Sequence, residues 1–135
     1  ADVRAKLDVG SLILATQYVK AQRIRRIVQQ NFSRVFTEVD VLITPGVSIT
    51  APRLEESTVR LDGRDIPMVA ALTRCTRIYN LAGLPSVAVP VGQSSKGLPL
   101  GIQIAGRPFE EEVILRVADA YERHAYRAPQ WPELS

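Results

Sequence analysis

Hydrophobic residues recur every three or four positions between residue 11 and about residue 38, at Leu14, Ala21, Ile24, Val28, Phe32 and Val35. That is the period of one helical face, so the spacing predicts a single long helix there. Ser11 follows Gly10 and is the expected cap, with residues 2–7 forming a short helix that ends at the glycine. Lys20, Arg23, Arg26 and Arg34 fall near one another on a different side of the long helix. A solvated face is the expectation for them, ahead of a phosphate-binding stripe. The period then changes. Residues 39–44 form a short apolar run rich in β-branched side chains and stopped by Pro45-Gly46, which predicts a buried strand. Residues 47–66 carry Pro52, Asp62-Gly63 and scattered charge, and read as a surface loop with a small hairpin around Asp62-Gly63.

Pro67 suits the first turn of a helix, and residues 68–79 continue it without a breaker. Asn80-Leu81-Ala82-Gly83-Leu84-Pro85 stops it. Two strands follow, over 86–91 and 100–105, separated by the polar turn 93–97. A final amphipathic helix covers about 110–124, with Val113, Val117, Ala120 and Tyr121 on one side. Its three opening glutamates complement the positive end of the helix dipole. The tail, 128–135, is broken by prolines and expected to be loose. The order is α-β-α-β-β-α without internal repeat, which predicts an α/β layered fold. Its strands are apolar on both faces and need more cover than these helices supply, a first sign of a missing half.

Composition narrows the classes. With 135 residues and 46% hydrophobic side chains, the chain is one domain in size and has material for a core. Charged residues make up 23%, which excludes a disordered polyampholyte. A net charge of +3 is a small excess, and one Trp, four Tyr and three Phe are few for stacking on bases, so no direct nucleic-acid partner is expected. No run reaches the roughly 18 apolar residues of a membrane span. Ala1-Asp2-Val3-Arg4 is mixed in charge, unlike a secretory signal, and the lone Cys75 permits no internal disulfide framework. Together these predict a soluble, cytoplasmic chain. Catalytic signatures are missing: no G-x-S-x-G elbow, no phosphate-binding glycine loop, no cluster at metal-ligand spacing. His124 near the end of the last helix reads as a surface residue, and Cys75 in mid-helix as a small buried hydrophobe.

The informative run is Thr73-Arg74-Cys75-Thr76-Arg77-Ile78-Tyr79-Asn80-Leu81-Ala82-Gly83-Leu84-Pro85, continued by the small-residue strand. Gly97-Leu98-Pro99-Leu100-Gly101-Ile102-Gln103 and a Glu-rich helix come after it. Upstream stand Asp40-Val41-Leu42-Ile43-Thr44-Pro45 and Ala51-Pro52. This ordered series resembles the late part of the amidase-signature family, over residues 3 to about 121. Asn80, Gly83 and Gly101 are read as fold-forming, since asparagine and glycine serve helix ends and tight turns.

The resemblance implies a fragment of the amidase-signature α/β/α fold, a mixed sheet covered by helices, with residues 1–135 as the C-terminal portion. It implies cleavage of carboxamide C–N bonds by a Ser–cis-Ser–Lys triad, one serine attacking and the lysine acting as base through the bridging serine. Those motifs lie upstream in the family and are not in this sequence, so no catalytic residue is assigned, and no cofactor or metal is implied. The implied partners are a small-molecule amide substrate and the missing N-terminal part of the same enzyme; a homo-oligomer stays open. Substrate contacts carry over to Ala70, Thr73 and Arg77, on the helix that lines the acyl pocket in fatty acid amide hydrolase-like members. A surface salt bridge is the plain alternative for Arg77. Glutamine-dependent amidotransferases of the family place an acid at the position of Thr73 and an arginine at the nearest match to Lys6. The neutral Thr73 therefore argues against glutamine, and Thr73→Asp is expected to improve it about tenfold. The glutamine-hydrolysing component of a tRNA-dependent amidotransferase is the runner-up reading, and a non-catalytic interaction module the third.

Overall fold

A computed structural model of the chain describes residues 2–125. Its helices are α1 (Asp2–Ser11), α2 (Ala15–Val35), α3 (Met68–Thr73), α4 (Arg77–Ala82) and α5 (Glu111–His124). Its strands are β1 (Leu42–Pro45), β2 (Thr58–Leu61), β3 (Arg64–Pro67), β4 (Ser86–Gln93) and β5 (Pro99–Ala105). The tail expected to be loose, 128–135, lies outside the described residues.

β5 is the centre of a three-stranded sheet, with β1 and β4 antiparallel on either side. The register sets Gln103 between Thr44 and Ala88, and Ile104 between Ile43 and Val87. Because side chains alternate along a strand, Ile102 and Ile104 share one face and Gln103 takes the other. On the isoleucine face α5 lays Ile114 and Ala118 against Val89 and Ile104, with Val117 and Tyr121 at the margin. A Cβ at Gly106 would stand 2.6 Å from the Ile114 Cγ2, so only glycine lets α5 approach the end of β5 this closely. That approach makes Ile114 and Ala118 the buried pair; of the expected stripe, Ala120 is exposed.

The opposite face carries α4 and, beyond it, α2. Tyr79 is 4% exposed, its hydroxyl donates to Thr44 Oγ1 at 3.3 Å, and its ring lies 5.7 Å from that of Phe32. Helices on both sides of a sheet give the α/β layering expected from the sequence. The hairpin at Asp62-Gly63 forms as expected: both residues have positive φ, 50° and 75°, the requirement of a tight two-residue turn between β2 and β3.

Three expectations are corrected. The short first helix does not end at the glycine: α1 runs through Gly10 to Ser11, whose Oγ donates back to Asp8 O at 2.7 Å, and the long helix starts only at Ala15. Ser11 therefore closes α1 instead of capping α2. The start of α2 is capped from within by Gln17, whose Oε1 accepts the Leu14 N–H at 3.1 Å. The helix expected over 68–79 is also interrupted. Thr73 Oγ1 donates to Val69 O at 2.8 Å and Thr76 Oγ1 to Thr73 O at 3.4 Å, hydroxyl bonds of the kind that compete with a helical ladder. Residues 74–76 form a joint, α4 restarts at Arg77, and Cys75 sits half-buried in that joint, not in mid-helix.

Candidate functional site

The joint between α3 and α4 is held from below by the sheet. Gln103, 3% exposed, donates from Nε2 to Cys75 O at 3.0 Å and to Pro45 O at 3.4 Å. Ser48 Oγ donates to Ala71 O at 2.7 Å, fastening α3 to the segment after β1. The Tyr79 bond to Thr44 fastens α4 to β1. From the other side α2 satisfies the last carbonyls of α4: Arg25 Nε donates to Leu81 O at 2.7 Å and Gln29 Nε2 to Ala82 O at 3.0 Å. Gly83 ends α4 at φ 74°, and its N–H and that of Leu84 both reach Tyr79 O, a left-handed helix stop that a Cβ would strain.

On this support stand two of the three expected substrate residues. Arg77 Nη2 donates to Thr73 Oγ1 at 2.7 Å, so the pair meets across the joint although no continuous helix joins them. Thr73 is half-buried and Arg77 exposed. A hydroxyl already bonded to a guanidinium presents positive potential, which suits a carbonyl or carboxylate oxygen and opposes an ammonium group. Ala70 lies elsewhere. It lines a cleft of about 410 Å³ with Leu61, Asp62, Arg64, Ile66 and Arg74, under the β2–β3 hairpin. Arg74 there pairs with Asp62 at 3.5 Å. Next to the joint, where β1 ends, Pro45, Val47, Val91, Leu100 and Ile102 line an apolar trough of about 340 Å³. Lys6 is on α1, whose described side chains are exposed.

Two residues of consequence escape a reading of the sequence. Gln103 carries a signal, a single amide between Ile102 and Ile104 in an apolar strand, since a buried amide must find acceptors. Arg107 gives none. It donates from Nε and Nη2 to Phe36 O at 3.2 and 2.6 Å, from Nη2 to Val39 O at 3.1 Å, and from Nη1 to Asp40 and Glu110. The Glu110 hydrogen bond, opposed by burial and helped by Asp40, raises the guanidinium pKa above its ordinary value. Arg107 thereby ties the end of α2, the entry to β1 and the start of α5. Among the described residues no helix is long and apolar enough to cross a membrane.

Known proteins resemble this chain in sequence and in fold. The family model described as Amidase matches residues 2–115. A fatty acid amide hydrolase of Medicago truncatula is 43% identical over 122 residues, covering 90% of this chain and 20% of that protein. The A component of a glutamyl-tRNA(Gln) amidotransferase from Brevibacillus brevis is 38% identical over 141 residues, covering 96% of this chain and 27% of that one. The crystal structure of an amidase, 25% identical, superposes with a TM-score of 0.85 and covers 93% of this chain and 29% of that one. The chain thus spans between 20% and 29% of the length of these relatives.

Proposed function

The chain belongs to the amidase family, and from that membership we propose that it is the C-terminal portion of a carboxamide hydrolase, contributing one wall of the substrate channel. The observation that carries this reading is the uncovered apolar stripe of α2. This 21-residue helix has no buried residue, and Ile24, Ile27 and Val35 are 53%, 57% and 42% exposed. Relatives that align along nearly the whole chain are several times longer, so the cover for α2 is sought in the remainder of such an enzyme. The outer edges of β1 and β4, without a strand neighbour among the described residues, support the same reading.

In this reading the nucleophile, bridging serine and lysine of the triad lie outside these 135 residues. What the chain supplies is binding. Thr73 and Arg77 face the substrate as a neutral hydroxyl, its proton held by Val69 O, and a cation, while Ala70 serves a separate cleft under the β2–β3 hairpin. A small-molecule amide as partner and a cytoplasmic location belong to the proposal. Glutamine is disfavoured as substrate because Arg77, already on the Thr73 hydroxyl, would repel its α-ammonium.

The test is a chimaera in which residues 1–135 replace the matching segment of the Medicago relative. The isolated chain is expected to hydrolyse no aryl or alkyl amide above the buffer rate, and the chimaera to hydrolyse them measurably. A chimaera that is folded by circular dichroism yet inert on the whole panel would favour a non-catalytic interaction module.

A further inference from the structure

We propose that Gln103 is a positioning residue for the substrate wall, fixing the α3–α4 joint and through it the Thr73–Arg77 pair. The inference rests on the functional reading above. It arises from a polar side chain placed where the strand pattern calls for an apolar one. Gln103 is in the central strand, buried at 3%, while its strand neighbour Ile104 is 1% exposed. A buried amide without acceptors is costly, so the side chain has few alternatives to the carbonyls it meets. Those two carbonyls, Cys75 O and Pro45 O, belong to different elements: one is the middle of the joint, the other the end of β1. One amide nitrogen therefore fixes the joint in register with the sheet and with the edge of the apolar trough, which Pro45 also lines.

Thr73 and Arg77 flank that joint at its two ends, and their mutual bond at 2.7 Å depends on the angle between α3 and α4. Ser48 holds α3 and Tyr79 holds α4, but each acts on one helix alone. Gln103 is the tie placed between them. Without it, α3 and α4 remain docked while the relative direction of the two substrate-facing side chains is released. Binding of substrate is then affected more than the chemical step, whose residues this wall does not supply.

Cys75 offers a reporter in place, because it is the only cysteine of the chain and stands half-buried in the joint. In the 135-residue chain, Gln103→Met keeps the side-chain length and removes the donor. Its labelling by a thiol-specific disulfide reagent is expected to be about tenfold faster than in the unaltered chain, with the far-ultraviolet dichroism unchanged. Unchanged labelling in a folded Gln103→Met chain overturns the proposal. Should that variant not fold, amide exchange of the unaltered chain decides: joint amides 74–77 exchanging as fast as those of 53–57 overturn it, and protection approaching that of β5 sustains it. In the chimaera, Gln103→Met should raise KM for a bulky amide severalfold and leave kcat within about twofold, the pattern of lost positioning. A fall in kcat at constant KM overturns it. A chimaera inert even with Gln103 intact refutes the functional reading alone, and labelling and exchange then decide whether Gln103 sets the joint.

Discussion

Placing an acid on the proposed substrate wall by Thr73→Asp is the most direct probe of specificity, and the structure changes its predicted size. Read from the sequence, a new carboxylate at position 73 would hold the α-ammonium of glutamine and favour it about tenfold over a neutral amide. The Thr73 hydroxyl, however, is 2.7 Å from Arg77 Nη2, so the carboxylate would be met first by that guanidinium. At about 4 Å and an effective dielectric constant of about 20, the attraction between unit charges is roughly 4 kcal/mol. Arg77 is exposed, and ion pairs of that kind retain only about 0–1 kcal/mol net of solvation and side-chain entropy. Even so, the substrate ammonium must share its partner and approach a neighbouring cation. The single substitution should therefore raise glutamine relative to a neutral amide by no more than about threefold. Thr73→Asp combined with Arg77→Ala leaves the carboxylate unshared and should recover about tenfold. The assay is the ratio of the two kcat/KM values in the chimaera, across all four members of the double-mutant cycle. If single and double variants give the same ratio, or if the unaltered chimaera already prefers glutamine, then this pair does not read the substrate.

Gly106→Ala forces a methyl to within 2.6 Å of the Ile114 Cγ2 and should cost about 1–3 kcal/mol in urea unfolding; an unchanged midpoint would contradict the close approach of α5. Exposed Leu12, Ile13, Leu14, Tyr18 and Ile24 should make the isolated chain self-associate, and sedimentation as a monomer at high concentration without binding of an apolar dye would count against an uncovered face. Arg107→Met should lower the thermal midpoint clearly, because the Phe36 and Val39 carbonyls lose their donor, whereas Asp40→Asn, at a carboxylate 84% exposed, should leave it unchanged. Equal effects of the two would assign the node to its ion pair, contrary to the geometry.

Much of this protein is legible in local order. The β4, β5 and α5 segments follow from runs and periods, whereas β1, expected as a buried strand over 39–44, spans Leu42–Pro45 at a sheet edge with Ile43 56% exposed. The Asp62-Gly63 hairpin follows from two residues that tolerate positive φ. The motif from Asn80 to Pro85 marks a helix stop wherever it occurs, since Gly83 accepts the left-handed conformation without a Cβ. The absence of a nucleophile–base pair, and the likeness to one part of an amide-hydrolase family, are equally sequence properties. Each depends on residues close in the chain or on their order along it.

Tertiary structure decided what local rules leave open. Residues 68–79 contain no helix breaker, yet the helix parts at 74–76, where Cys75 O is bonded by a side chain 28 positions away. Arg77 and Thr73 meet because of that joint, while Ala70 is directed to another cleft. Arg107 joins three elements through carbonyls some 70 positions upstream, a role that no spacing in the sequence announces. A helix period or a turn is set by the sterics of a few consecutive residues, so it can be read from them. A buried amide or guanidinium takes whichever carbonyl the packed chain brings within about 3 Å, and only the folded sheet and its helices determine which one that is.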